Sequence, residues 1–233
     1  MQLGKLAHQF AVPTNFPAIA NAFLDHGKTL VVTYSGSDDI EEWDIATGKR
    51  VCFWQGIKNW TSVCFSPDDR LCLTWRNDDA AVLRNLADGH ETSLNLDAKQ
   101  QASDVSFSPD GKLLAVTSMF GFAKVFDLVA QREAATLHGF LMGVHSVAFS
   151  DDGTRLALGS DGREAVKLWD LESLEELLTL GAEGSLFDST QFSPDGNVLG
   201  SLNSAGELYL WRAPSWDEIN AADAQEKAGI KQP

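Results

Sequence analysis

Residues 144–171 read VHSVAFSDDGTRLALGSDGREAVKLWDL. An apolar run, a turn, a second apolar run and another turn lead to a third run that closes on Trp169-Asp170. Apolar and polar residues alternate within each run, the period of two that marks half-buried or sandwiched strands. The strands implied are Ser146–Ser150, Arg155–Gly159 and Val166–Asp170, with a fourth at Glu176–Leu180.

The same unit recurs along the chain. SVCFSPDDRLCLTW (62–75), DVSFSPDGKLLAVTS (104–118) and STQFSPDGNVLGSLN (189–203) are further copies, and NAFLDHGKTLVVTYS (21–35) is a weaker one. Their shared phenylalanines are Phe23, Phe65, Phe107, Phe149 and Phe192, at intervals of 42, 42, 42 and 43 residues. In the SPDG tetrapeptide, proline presets φ and Asp-Gly supplies a tight hairpin turn. The third strand ends in an aromatic residue and Asp in EEWDIATGK (41–49), KVFDLVAQR (124–132) and KLWDLESLE (167–175). The second unit has the degenerate VLRNLADG (82–89), and the fifth ends LYLWRAPS (208–215). Four short antiparallel strands per repeat make one blade of a β-propeller, which must stack on its neighbours to bury both faces. Trp43, Phe126, Trp169 and Trp211 are then packing residues between blades.

The period, the SPDG turns and the Trp-Asp strand ends together resemble the WD-repeat β-propellers over residues 3–212. The expected fold is all-β, about five four-stranded antiparallel blades. Repeats fall near 11–54, 55–96, 97–138, 139–180 and 181–212. The resemblance also implies a Gly-His dipeptide before the first strand, its His joined to a Ser/Thr, a turn Asp and the Trp. This chain departs from that pattern. Ile57 and Phe140 stand where the His belongs; of the turn-Asp positions Asp78 fits, whereas Phe120, Arg163 and Ala205 do not. Apolar packing is therefore expected to hold the blades more than that hydrogen-bonded set. GKLAHQF (4–10) aligns with GKRVCFW (48–54) and LEELLTL (174–180), so residues 3–10 are expected to complete the last blade, with Leu6–Phe10 beside Glu207–Trp211. Such closure removes exposed sheet edges. A longer array of more blades accommodates the same offset. Ser215 and Glu218 form a capping box and Gly229 a stop, so a helix is expected over 216–228 of the 213–233 tail, docked through Trp216 and Ile219. The tail either packs on the side of the propeller or serves as a partner or linker element. It resembles the C-termini of bacterial WD-repeat proteins, some of which follow a kinase domain; the sequence carries no kinase motif.

A net charge of −15 over 233 residues repels phosphate backbones and anionic lipid, which speaks against nucleic-acid and membrane partners. No apolar run reaches the roughly 18 residues of a membrane helix, and the N-terminus lacks a signal-peptide pattern. Cytoplasmic residence is expected. Cys52, Cys64 and Cys72 have no metal-ligand spacing and read as buried thiols on neighbouring strands. His8, His26, His90, His138 and His145 are dispersed, without the spacing of a metal pair. Nucleophile elbow, phosphate loop and dinucleotide fingerprint are absent from the sequence, and no cofactor is expected. Paired acids such as Asp68/Asp69, Asp78/Asp79 and Asp151/Asp152 raise a glycoside-processing alternative. Asp68, Asp110, Asp152 and Asp195 nevertheless share one hairpin position, where Asp serves backbone geometry.

Binding is the leading function: a non-catalytic scaffold for a protein or peptide. A ligand-sensing propeller and a piece of a larger signalling protein are the alternatives. The connections between fourth and first strands, and between second and third, share one face around the channel mouth. There the sequence places Ile57, Trp60, Trp75, Met119, Phe120, Phe122, Phe140, Leu141, Met142 and Phe187, with Arg76 and Arg163 as basic exceptions. Aromatic, Met and Arg side chains are enriched in interfaces in this way. The same residues suit a channel plug, and the sequence leaves both readings open.

Overall fold

The repeat unit folds as an antiparallel meander, and the chain lays five of these sheets side by side. The computed structural model describes residues 18–34, 37–55, 62–75, 80–95, 102–184 and 186–213. The first sheet comprises β1 (Ala18–Leu24), β2 (Thr29–Tyr34), β3 (Asp39–Asp44) and β4 (Lys49–Gln55). The second comprises β5 (Ser62–Phe65), β6 (Leu71–Trp75), β7 (Ala80–Asn85) and β8 (Glu91–Asn95). The third has β9 (Ala102–Phe107), β10 (Leu113–Ser118), β11 (Phe122–Asp127) and β12 (Arg132–Leu137). In the fourth are β13 (Val144–Phe149), β14 (Arg155–Ser160), β15 (Val166–Asp170) and β16 (Glu176–Leu180). The fifth has three strands among the described residues: β17 (Phe187–Phe192), β18 (Val198–Asn203) and β19 (Leu208–Arg212). In the fourth sheet the third and fourth strands match the sequence reading, and the first begins two residues earlier. The expected closing strand at Leu6–Phe10 and the helix over 216–228 lie outside the described residues, as does Asp78. Among the described residues no helix is long and apolar enough to cross a membrane.

The repeated turn has one chemical design. Ser66, Ser108, Ser150 and Ser193 each donate their hydroxyl to the Asp two residues on, at 2.7, 2.7, 2.6 and 2.6 Å. Asp68, Asp110, Asp152 and Asp195 then accept the N–H groups of Arg70, Lys112, Thr154 and Asn197 at 3.0–3.2 Å. These bonds hold the Asp110 and Asp152 carboxyls down at about 2. The acids are thus engaged in backbone geometry, the role the sequence assigns them. The Asp after each strand-ending aromatic does similar work. Asp170 accepts N–H groups from Glu172 and Ser173, and Asp127 those of Val129 and Ala130.

Between consecutive sheets lies an apolar layer built in one register. The periodic Phe65, Phe107, Phe149 and Phe192 each turn back toward the preceding sheet. So do the third-strand aromatics Phe126, Trp169 and Trp211. Facing forward, at matching positions of the third strands, are Ile40, Ala81, Ala123 and Val166, of which Ile40, Ala123 and Val166 are fully buried. The rule has visible ends. Phe23 turns back with no described sheet behind it and is 67 % exposed. Leu208 and Leu210 point forward from β19 and are 64 % and 66 % exposed.

Polar side chains bond both within the sheets and between them. The Trp169 indole N–H is buried and finds no acceptor, whereas Trp43 donates to Glu41 at 3.1 Å. Burial works against the Glu41 charge, but Tyr34, Arg50 and Trp43 all donate to it and hold it below the ordinary carboxylate range. On the inner strands, Asp104 accepts the Val147 N–H at 2.9 Å, and Ser146 donates to the Phe187 carbonyl at 2.8 Å. Burial pushes the Asp104 carboxyl up to about 6. The cysteine expectation needs one correction. Cys72 is buried and Cys64 half-buried, with burial raising their thiols to about 12 and 11, but Cys52 is exposed on the outer strand β4. Among the described residues β4 is an edge strand, and Trp54 is the one side chain on it that is buried.

Candidate interaction surface

Two connections of the third and fourth sheets interlock at one end of the molecule. The β10–β11 turn is short because Gly121 adopts φ +80, closed by its N–H on the Ser118 carbonyl at 3.2 Å. A Cβ on Gly121 would lie 2.7 Å from the Met142 carbonyl oxygen, and one on Gly143 would lie 2.9 Å from that of Met119. The two backbones therefore touch, and glycine at each position permits the approach. Ser160 donates to the Gly143 carbonyl at 2.9 Å, and Leu141 N–H donates to Glu164 at 3.1 Å. Both loops are fixed to the sheets that carry them.

From this base the apolar candidates divide. Met119, Phe120, Leu141 and Met142 are 43 %, 61 %, 82 % and 59 % exposed. Phe140 is half-buried, its ring 6.5 Å from that of Trp169 and beneath the Lys167 ammonium at 5.5 Å. It acts as a plug over the joint. Lys167 is itself buried and pairs with Glu176 at 3.0 Å and Glu164 at 3.3 Å. Burial opposes its charge, yet the two carboxylates outweigh that and hold its pKa above the ordinary value. Phe122 is half-buried with its ring 6.0 Å from that of His138, and Arg163 is exposed.

Two candidates are corrected. Trp75 is 6 % exposed and Phe187 fully buried, so neither offers its side chain to a partner. The reason is the strand boundary. Trp75 is the last residue of β6 and Phe187 the first of β17, so strand alternation turns both into the sheet interfaces. Trp60 and Arg76, with Ile57, lie outside the described residues.

One element escaped the sequence reading. His145, 8 % exposed on β13, bonds Asp161 at 3.0 Å through its Nε2, and Asp161 also accepts the Leu186 N–H at 2.8 Å. The His–Asp contact thus lies within the fourth sheet, and Asp161 carries it on to Leu186, the residue before the first strand of the fifth. The signal was hidden because Arg163, two residues later, occupies the place where the resemblance looks for Asp. Among the described residues no group of three metal-ligating side chains comes together.

Comparison with known proteins agrees with this architecture. Residues 131–170 match the family model described as WD domain, G-beta repeat. The chain is 30 % identical over 137 residues to Pre-mRNA-processing factor 19 homolog 2 of Arabidopsis thaliana, covering 58 % of this chain and 24 % of that protein. It is 30 % identical over 146 residues to WD repeat-containing protein SL1-17 of Schistosoma mansoni, covering 61 % and 47 %. Periodic tryptophan protein 2 of Saccharomyces cerevisiae is 24 % identical over 213 residues, which is 85 % of this chain and 23 % of the yeast protein. The chain therefore matches less than half the length of each of these relatives. Their similarity supports the WD-repeat reading; none of the three is bacterial.

Proposed function

We propose that the protein is a non-catalytic interaction module that holds a protein or peptide on the loop face of its third and fourth sheets. The observation that carries this reading is the set of four exposed apolar side chains, Met119, Phe120, Leu141 and Met142, on two loops locked together through Gly121 and Gly143. Exposed apolar clusters on a rigid base favour association, since little ordering entropy is lost on binding. Met adapts to varied partner shapes. The similarity to WD-repeat proteins, a family that typically binds other proteins, points the same way. The repeated acids, occupied by their own turns, offer no pair poised for general acid and base work. Arg163 at the rim is available to a carboxylate of the partner.

The test is quantitative capture from extracts of the producing cell. A partner retained by the wild type should be lost with Phe120→Ser/Leu141→Ser, a variant expected to keep the wild-type melting temperature. It should be kept by Leu177→Ser/Leu178→Ser, which alters two exposed leucines of the outer strand β16. Equal retention by all three proteins overturns the reading.

A further inference from the structure

A cavity of about 640 Å3 opens at the other end of the inner strands, away from the loop face. Phe107, Phe149 and Phe192, the last residues of β9, β13 and β17, line it together with Pro67, Pro109 and Pro194 of three hairpin turns. Its volume falls within the roughly 300–1,000 Å3 of small-ligand pockets. Among its described lining residues only Asp151 carries a charge.

Asp151 occupies a telling position. Aligned on the repeat, it stands where the sister turns carry Pro67, Pro109 and Pro194. The fourth turn thus gives up the preset φ of proline and gains a carboxylate at the cavity wall. That carboxylate also borders a second cavity of about 310 Å3, between the turns of the third and fourth sheets, which Asp110 and Asp152 line as well. Those two acids are engaged by their own turns, as described above. No hydrogen bond or ion pair joins the Asp151 carboxylate to a described residue. It is an exposed acceptor at the edge of aromatic and proline walls.

We infer that this cavity binds an organic cation, an ammonium or guanidinium head on an apolar stem. The head sits on Asp151 through a charge-assisted hydrogen bond, and the stem lies against the Phe and Pro walls. Aromatic rings favour cations over anions at close range, and a net charge of −15 draws cations to the molecule and repels anions. This site does not depend on the loop-face reading. The cation could come from a free amine or from a lysine side chain of a polypeptide, and the experiment separates the two.

The full chain is titrated calorimetrically with 4-phenylbutylammonium, with its neutral counterpart 4-phenylbutanol, and with a blocked hexapeptide carrying one central lysine. The ammonium should bind about tenfold or more tightly than the alcohol. Asp151→Asn should erase that preference, and so should Asp151→Pro, which restores the residue of the sister turns. Glu172→Gln, an exposed acid on the β15–β16 turn, should leave it intact. Phe120→Ser/Leu141→Ser should also leave it intact, which keeps failure here distinct from failure at the loop face. Tighter binding of the hexapeptide than of the amine assigns the site to a polypeptide lysine; the reverse assigns it to a free amine. Equal binding of ammonium and alcohol overturns the inference. So does absence of binding, a preference undiminished in Asp151→Asn, or an equal loss in Glu172→Gln.

Discussion

The joint between the third and fourth sheets and the forward face of the fifth present the same repeat positions to different surroundings. Val166, forward on β15, is fully buried, while Leu208, at the matching position of β19, is 64 % exposed. Residue type does not explain the difference, since both are apolar and both sit on the third strand of a sheet. What lies opposite explains it. Val166 meets Leu199 of the fifth sheet, and no described sheet meets Leu208. Burial in this protein belongs to pairs of sheets and not to a single core.

The largest test of that contrast lies inside the joint. Leu156 is fully buried against the third sheet. Leu156→Ala should cost about 2–5 kcal/mol by urea denaturation, the loss of transfer energy plus a cavity. A cost below about 1 kcal/mol would show that the joint is loose in solution.

The inner seam of the same joint adds a pH dependence. The Asp104 carboxyl is raised to about 6, above the roughly 3.9 of an unfolded chain. The native state therefore holds that proton more tightly than the unfolded state does. Its contribution is full below about pH 4 and is lost as pH rises through about 6, by roughly 2–3 kcal/mol. Asp104→Asn should flatten this part of the stability–pH curve, whatever offset it adds. An unchanged slope would mean that Asp104 meets water.

At the bare end, two smaller effects bear on closure. If residues 6–10 supply the fourth strand beside β19, removing residues 1–12 should cost about 2 kcal/mol, a fall of roughly 4–8 °C in Tm. An unchanged Tm ends the closure proposal. Leu208→Ser should be the mildest change, within about 0.5 kcal/mol of wild type. A larger cost would reveal that a neighbour covers the forward face of β19 in solution.

Much of this was legible because the repeat is printed in the sequence. The 42-residue spacing of Phe65, Phe107 and Phe149 marks one packing position three times, and Ser-Pro-Asp-Gly marks one turn. The strands of residues 144–180 follow directly from alternation. The candidate surface was legible only in part. Phe120 and Leu141 do lie between strands, but their exposure, against the half-burial of Phe140 in the same loop, was not readable from the sequence. Trp75 and Phe187 differ from them by a single step across a strand end, enough to reverse which way a side chain faces. The His145–Asp161 contact joins a strand residue to a turn residue 16 positions on, and no local pattern announces it. The role of Asp151 needed the cavity, since in the sequence it is one acid of a pair.

The common register of the joints has a consequence for how the chain can change in length. At each joint between described sheets a forward position meets a backward position of the same kind, so the sheets are exchangeable units. Duplicating or excising one whole repeat, such as the 43 residues between the ends of β12 and β16, leaves each remaining face with a suitable neighbour. Adding a single residue within a strand does the reverse, because it swaps the two faces from that point onward. The molecule tolerates large edits made in its own unit and resists small ones made out of step with it.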